Sequence, residues 1–152
     1  MKHFLLIVFI LSLNTARLSA QYWRTDWDIA RVEAEQANKK LILVFSGSDW
    51  CIPCIKLEKE IWESSSFTQY AEQYYVLFRA DFPKRKKNKL PEMIQKLNDR
   101  LASKYNSKGY FPLVVVLDAK GKVKGQLGYE KLTPEAYICL LYTSDAADDL
   151  FR

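Results

Sequence analysis

The sequence predicts a single α/β domain built on a mixed central sheet of about four strands, with helices on the faces of the sheet. One observation behind this prediction is the order of the predicted elements, in which a strand–helix–strand unit is followed by a β-hairpin. A second is the length of 152 residues, which suits one domain with one buried core. A third is the 49% share of hydrophobic residues, which is enough to fill that core.

The first predicted elements are a helix and a buried strand. Thr25 is predicted to cap the helix, because Asp28 follows three residues later as in a capping box. Apolar side chains then recur at helical spacing, at Trp27, Ala30, Ala34 and Ala37. Residues 41–45 form a short continuous apolar run rich in strand formers, which predicts a buried strand. Gly47 and Ser48 end this strand.

The middle of the chain predicts two helices, a strand and a third helix. The helices are expected over about residues 53–62 and 67–74, and the strand over 76–81. The basic segment 84–89 then forms a loop, and the third helix begins near Pro91. One face of that helix carries Ile94, Leu97, Leu101 and Tyr105.

The last predicted elements are a hairpin and a helix. Residues 113–117 and 123–127 read as strands, and the turn at 118–121 pairs them antiparallel. A final helix begins near Thr133.

The N-terminus has the layout of a secretory signal peptide. Lys2 and His3 precede a ten-residue apolar run, and small Ala20 marks the predicted cleavage site. The run is too short for a membrane-spanning helix, which takes about 20 residues; an uncleaved anchor is the alternative. We therefore expect residues 1–20 to be removed. The domain of residues 21–138 would then be exported, to the periplasm of a bacterial cell envelope, without a membrane span.

Charge and histidine content exclude several function classes. Without residues 1–20 the net charge falls from +5 to +3, because Lys2 and Arg17 are lost. The basic run at 84–89 has no interleaved aromatic residues, so we expect no nucleic-acid binding. His3 is the only histidine, and its removal excludes Ser-His-Asp and Cys-His catalysis and zinc sites that need imidazole.

The C-terminal segment differs in character from the rest of the chain. Ten consecutive residues, 139–148, resemble the in-frame translation of a transposase end and adapter used in DNA library preparation. We therefore predict that native sequence stops near Ile138, that the last helix is truncated and that residues 139–152 are not native. Cys139 would then have no functional role. A genuine C-terminal helix is the alternative.

Cys51 and Cys54 form the chemically informative pair. They lie three residues apart, on one side of the first turn of a predicted helix, where a disulfide can open and close. Unpaired N–H groups and the helix dipole favour the thiolate of Cys51. Pro53 suits the first turn because its missing N–H is not needed there. Cys54 is expected to be the less exposed cysteine.

Other interpretations of this pair stay open beside redox activity. A structural disulfide is one, although a four-residue loop constrains the unfolded chain little. Half of a metal site is another, but a second pair of ligands is missing. A copper or partner carrier that uses the two thiolates is a third.

Two segments resemble the thioredoxin family. After the strand at 41–45, Gly-Ser-Asp-Trp followed by Cys-Ile-Pro-Cys (47–54) resembles the thioredoxin active-site region. Tyr-Phe-Pro-Leu (110–113) resembles the family's cis-proline segment. The resemblance covers about residues 25–138 and is closest to exported thioredoxin-like proteins. It implies a monomeric thiol–disulfide oxidoreductase with a thioredoxin-like fold that acts on protein disulfides, exchanges electrons with a redox partner protein and needs no cofactor or metal.

The resemblance also implies residue roles. Cys51 would be the nucleophile and Cys54 the resolving thiol. Trp50 would pack beside the site and contact substrate, and the backbone of Phe111 would pair with an extended substrate strand. Pro112 would be cis and would face the two sulfurs; an ordinary trans proline is the alternative.

The sequence departs from the thioredoxin pattern near the site, where Asp49 and Pro53 are expected to support the cysteines. Phe45 stands six residues before the first cysteine, where thioredoxins carry a buried Asp that accepts the proton of the resolving thiol. Substitutes that could act through water are Asp49, Lys56 and Glu58. Leu113 replaces a Thr, and the longer 84–89 loop is expected near the active-site edge, where it would select partners. The missing Asp also leaves open a vestigial, inactive site.

Overall fold

The computed structural model describes residues 23–146, which form a five-stranded mixed sheet covered by helices. The strands are β1 (Trp23–Arg24), β2 (Lys40–Ser46), β3 (Tyr75–Asp81), β4 (Leu113–Leu117) and β5 (Val123–Leu127). Their order in the sheet is β1-β3-β2-β4-β5. β3 runs parallel to β1 and β2, and β4 runs antiparallel to β2 and β5. The predicted fold class is confirmed, with one strand more than expected, because two-residue β1 is too short to produce a recognisable pattern.

Helices cover both faces of the sheet. They are α1 (Trp27–Gln36), α2 (Ile52–Leu57), α3 (Ser65–Tyr74), α4 (Glu92–Tyr105) and α5 (Pro134–Ala146). A π-helical turn, Glu58–Trp62, continues α2, and a 3-10 turn, Lys86–Asn88, precedes α4. The predicted helix over 53–62 therefore consists of an α-helical segment followed by a π-helical turn.

The core lies on both faces of β2, which explains its continuous apolar sequence. Leu41, Leu43 and Phe45 belong to the cluster that includes side chains of α1 and α4. Ile42 and Val44 belong to the cluster that includes side chains of α2, α3 and α5. Successive side chains therefore alternate between the two halves of the core.

The cap predicted for α1 is wrong by one residue. Asp26 is the N-cap, and its Oδ1 accepts a hydrogen bond from the N–H of Ile29 at 3.0 Å. Because α1 begins at Trp27, Thr25 lies too far from the helix to bond its first turn.

The predictions for the two ends of the chain lie partly outside the described residues. The signal peptide over 1–20 and the last residues, 147–152, are outside them. α5 continues past Ile138 to Ala146 and buries Leu141 in the core. The truncation of the native helix and the origin of residues 139–152 stay predictions. Cys139 is exposed and free. Within residues 23–146, no helix is both long enough and apolar enough to cross a bilayer.

The strand directions bring three loops to one edge of the sheet. β2 and β3 are parallel and pair Ser46 with Asp81, so both strands end at this edge. β4 is antiparallel to β2 and starts there, with Leu113 opposite Phe45. The loop after β2, the loop after β3 and the segment before β4 therefore meet, and they carry the predicted site residues.

Candidate active site

Cys51 occupies the N-cap of α2, in the loop that leaves β2. Its N–H donates to the carbonyl oxygen of Gly47 at 2.9 Å, and its Sγ accepts a hydrogen bond from the N–H of Cys54 at 3.3 Å. The two cysteines form a disulfide, with their Cα atoms 5.2 Å apart. The sulfur of Cys51 thus lies where the partial positive charge of a helix start stabilises an anion.

Burial of the two cysteines differs from the prediction. Cys51 is 4% exposed and Cys54 is 5% exposed, so Cys54 is not the more buried of the two. In the disulfide the two side chains lie against each other, and each shields the other from solvent. Ile52 is 68% exposed beside them, and Pro53 lies in the first turn as predicted. The surface next to the disulfide is therefore apolar.

Trp50 connects the three loops that meet at the site. Its indole lies against Gly47, where a Cβ atom would come within 2.4 Å of the ring. Its Nε1 donates a hydrogen bond to the carbonyl oxygen of Phe82 at 2.7 Å. Its ring meets that of Phe111 edge to face, with 5.4 Å between centroids. The structure therefore brings the predicted residues Trp50 and Phe111 together, and adds Gly47 and Phe82, which the sequence did not single out for this role.

Asp49 holds the loop after β3. Its carboxylate accepts hydrogen bonds from the N–H of Lys84 at 2.9 Å, the N–H of Arg85 at 3.0 Å and the side-chain amide of Asn88 at 2.9 Å. These bonds, above all the one from Lys84, lower the pKa of Asp49. Asp49 therefore fixes a neighbouring loop, and it does not line the cleft beside Cys54.

A second carboxylate fixes the turn before the cysteines. Asp81, at the end of β3, accepts hydrogen bonds from the N–H of Ser48 at 2.9 Å and from its hydroxyl at 2.6 Å. The side chain of buried Asn98 donates to the carbonyl oxygen of Asp81 at 2.9 Å. Asn98 was not identified from the sequence, although a polar residue on the buried side of an amphipathic helix is a recognisable signal.

The segment before β4 carries a cis peptide bond between Phe111 and Pro112, as the resemblance implied. Buried Asn106 holds this segment, since its side chain donates to the carbonyl oxygen of Tyr110 at 2.8 Å and accepts from its N–H at 2.9 Å. An open, mostly apolar groove of about 530 Å³ runs from Pro53 past Phe111 and Pro112 to β5. This groove lies beside the cysteine-bearing helix and has the size of a peptide segment.

The position of the missing thioredoxin carboxylate is fully apolar. Phe45 is buried in the half of the core that α1 and α4 cover. A polar cleft of about 130 Å³ instead reaches Cys54, and Glu58 lines it together with Arg79. The carboxylate of Glu58 accepts a hydrogen bond from the Arg79 guanidinium. Of the three substitutes that the sequence offered, only Glu58 lines this cleft, because Lys56 and Asp49 lie elsewhere.

Among residues 23–146, no three His, Cys, Asp or Glu side chains are grouped as a metal site would require. The candidate site is thus a cysteine pair at a helix start. An apolar groove lies along one side of it, and a polar cleft lies behind its second sulfur.

Known proteins resemble this chain in sequence and in fold. A family model described as a thioredoxin-like domain matches residues 27–142. "Disulfide bond reductase DsbH" of Chlamydia pneumoniae is 37% identical over 105 residues, which are 69% of this chain and 61% of that protein. "Thioredoxin-related protein DsbJ" of the same organism is 32% identical over 83 residues, which are 55% of this chain and 23% of that protein. The chain therefore spans less than two thirds of the length of these curated relatives.

The solved structure of a "DsbH Oxidoreductase" superposes with a TM-score of 0.78 and 30% sequence identity. The superposition covers 85% of this chain and 87% of that one. The two folds therefore agree over most of the domain. Because the family model also matches well over half of the sequence, the chain belongs to the thioredoxin-like family.

Proposed function

We propose that the protein is a thiol–disulfide oxidoreductase that exchanges disulfides with protein substrates through Cys51 and Cys54. The observation that carries this proposal is the position of the Cys51 sulfur, which caps α2 and accepts the N–H of Cys54 at 3.3 Å. Such a position lowers the free energy of a thiolate, which is the attacking species in disulfide exchange. The similarity to a protein named as a disulfide bond reductase supports the same assignment.

The reaction has two exchange steps. The Cys51 thiolate attacks one sulfur of a substrate disulfide, which forms a mixed disulfide and releases the first substrate thiolate. Cys54 then loses its proton and attacks the Cys51 sulfur, which closes the Cys51–Cys54 disulfide and releases the second substrate thiolate. Each released thiolate takes up a proton. The substrate gains two electrons and two protons. The protein loses the two electrons, the proton of Cys54 and the proton that left Cys51 when its thiolate formed.

A dithiol partner protein would return the two electrons and two protons by the same exchange in reverse. Every step is reversible, so the relative reduction potentials of the protein, its substrate and its partner decide the direction. We place the reaction in the bacterial cell envelope, outside the cytoplasm, because residues 1–20 have the layout of a signal peptide. We propose a monomer that binds no nucleic acid.

The groove beside Pro112 is the proposed substrate site. An extended peptide would lie along it and pair with the backbone of Phe111, while Trp50 and exposed Ile52 contact its side chains. Pro53 and Pro112 both line this groove, so a bound cystine would lie close to the helix start.

Glu58 is the proposed proton acceptor for Cys54. Thioredoxins carry a buried Asp at the position of Phe45. Glu58 would take over the role of that Asp, because it lines the polar cleft that reaches Cys54. A cleft of about 130 Å³ is large enough for several water molecules, which suits proton transfer between the thiol and the carboxylate. Arg79 holds the carboxylate in place through its hydrogen bond.

Reduction of insulin disulfides by the purified protein, with dithiothreitol as the electron source, tests the proposal. We expect Cys51→Ser to abolish this activity and Cys54→Ser to accumulate mixed disulfides that gel electrophoresis resolves. Cys139→Ser, which changes an exposed free cysteine, is the matched control and should keep full activity. Undiminished reduction by Cys51→Ser would contradict the proposal. Stoichiometric Cu(I) binding with negligible turnover would favour the copper-carrier alternative.

A further inference from the structure

The loop between β3 and α4, residues 82–91, is called the basic loop here. It carries five basic residues and no acidic one. All five are exposed: Lys84, Arg85, Lys86, Lys87 and Lys89. Within the described residues, none of these five side chains forms an ion pair with a carboxylate. The basic loop therefore presents a concentrated positive charge, which the one carboxylate bound to its main chain, that of Asp49, offsets only in part.

This charge is held at the active site. Asp49 lies two residues before Cys51 and binds the main-chain N–H groups of Lys84 and Arg85. The indole N–H of Trp50 binds the carbonyl oxygen of Phe82 at the start of the loop. Because these bonds join the loop to the segment that carries the nucleophile, the positive charge keeps a fixed position relative to Cys51.

One positive charge reaches the residue next to the nucleophile. The Nζ atom of Lys84 lies 3.8 Å from the ring centroid of Trp50, within the range of a cation–π interaction. The basic loop and the apolar groove therefore both adjoin the cysteine pair, the loop through Trp50 and the groove through Pro53.

We propose that the basic loop selects polypeptide substrates with acidic residues beside the target cystine. This inference rests on the proposed oxidoreductase function and adds the charge of the substrate. Charges within about 10 Å interact appreciably at 0.1 M salt, and the Nζ atom of Lys84 lies against the ring of Trp50, the residue next to Cys51. A fixed patch of one sign also raises the association rate of partners of opposite sign. A polypeptide fits better than a nucleic acid, because the adjoining groove is apolar and the basic run at 84–89 has no interleaved aromatic residues that could stack on bases.

The experiment compares three disulfide-linked peptide dimers of equal length, whose cysteine is flanked by Asp, Asn or Lys. The rate at which the reduced protein releases peptide thiol is measured for each dimer. Each rate is divided by the rate with dithiothreitol, which corrects for the intrinsic reactivity of the peptide. Measurements are made between about 20 mM and about 0.5 M sodium chloride, a range over which screening changes strongly.

The loop variant is Lys86→Gln with Lys87→Gln, because neither side chain takes part in the attachment to Asp49 or Trp50. The matched control is Lys104→Gln with Lys120→Gln, which removes the same charge at the other end of the sheet. There the hydroxyl of Tyr105 donates to the carbonyl oxygen of Gly121, which joins the end of α4 to the turn after β4.

We expect the Asp-flanked dimer to react about tenfold faster than the Lys-flanked dimer at low salt, with a smaller preference at high salt. The loop variant should lose much of this preference and the control should keep it. Equal corrected rates for the three dimers, or an unchanged preference in the loop variant, would overturn the inference while leaving the oxidoreductase function intact. The absence of thiol release from every dimer would overturn both. Loop-dependent binding of an oligonucleotide, or of vesicles of anionic lipid, without preference among the dimers would also overturn it.

Discussion

The indole of Trp50 lies directly on the backbone of Gly47. A Cβ atom at Gly47 would come within 2.4 Å of the ring, closer than any real contact allows. The close approach lets the Trp50 N–H reach the carbonyl oxygen of Phe82 and places the ring edge to face with Phe111. Glycine is therefore needed at position 47, because the ring of Trp50 occupies the space that a side chain there would fill.

Gly47→Ala should displace the Trp50 side chain and loosen the loops around the cysteine pair. We expect a loss of about 1–3 kcal/mol in the free energy of unfolding, because overpacking forces neighbouring groups to shift. Urea unfolding measures this loss. Comparing Trp50→Ala with Gly47→Ala/Trp50→Ala provides the control, because the added methyl group should cost little once the indole is gone. An equal cost of Gly47→Ala in both backgrounds would contradict the proposed contact.

Glu58→Gln should slow the second exchange step and leave the first nearly unchanged. The neutral amide cannot accept the Cys54 proton, so we expect the mixed disulfide with Cys51 to persist about tenfold longer or more at neutral pH. The difference from wild type should shrink at alkaline pH, because the thiol then loses its proton to solvent. Rapid alkylation followed by mass spectrometry measures the lifetime of the mixed disulfide.

The control for this prediction is Glu60→Gln. Glu60 lies two residues further along and accepts a hydrogen bond from Tyr129, and it does not line the cleft beside Cys54. Glu58→Asp should recover part of the rate, since it restores a carboxylate. A pH-independent loss in Glu58→Gln, or an equal loss in Glu60→Gln, would assign Glu58 a structural role instead.

The attachment of the basic loop to Asp49 should fail at acidic pH. The pKa of Asp49 is lowered, chiefly by the N–H of Lys84, so the loop binds the carboxylate form. A lowered pKa means that the attachment is fully present above the ordinary value of 3.8 and is lost as the pH falls through the lower, folded-state pKa. NMR titration of the Lys84 and Arg85 amide signals should therefore show a transition below pH 3.8. Asp49→Asn should lack this transition and show faster amide exchange at both positions at neutral pH.

Asn106→Ala should destabilise the segment that leads to Pro112. Buried Asn106 makes two hydrogen bonds to the backbone of Tyr110, and its loss leaves both backbone groups without these partners. We expect a cost of about 1–3 kcal/mol in the free energy of unfolding. Ser107→Ala, at the exposed neighbouring position, should change it little. A cost for Asn106→Ala no larger than for Ser107→Ala would contradict this role.

The fold was largely predictable because its signals are local. The apolar run of β2 and the hairpin of β4 and β5 can be recognised without any knowledge of what they contact. β1 could not be recognised, since its pairing with β3 is visible only in the assembled sheet. The π-helical turn at Glu58–Trp62 has no periodic signature of its own, so the helix carrying Cys54 was expected to continue regularly.

The candidate site was predictable only where chemistry depends on residue type. Cys51 and Cys54 stand out through their spacing, and Pro112 through its resemblance to a family segment. Gly47 acts through its close approach to the Trp50 ring and Asn106 through hydrogen bonds to the Tyr110 backbone, and such contacts leave no pattern in the sequence. Asp49 was expected to support the cysteines, but its three hydrogen bonds to the basic loop depend on the parallel pairing of β2 and β3.

Asp49 holds the basic loop chiefly through peptide N–H groups, which every residue except proline provides. The side chains at positions 84–87 can therefore be exchanged while the two main-chain hydrogen bonds remain. Natural divergence or protein engineering could reverse the charge of the basic loop without moving the sulfur atoms of Cys51 and Cys54. The side chains of the basic loop can thus change while the cysteine pair stays the same. Proline at position 84 or 85 is not tolerated, because it would remove an N–H group that Asp49 binds.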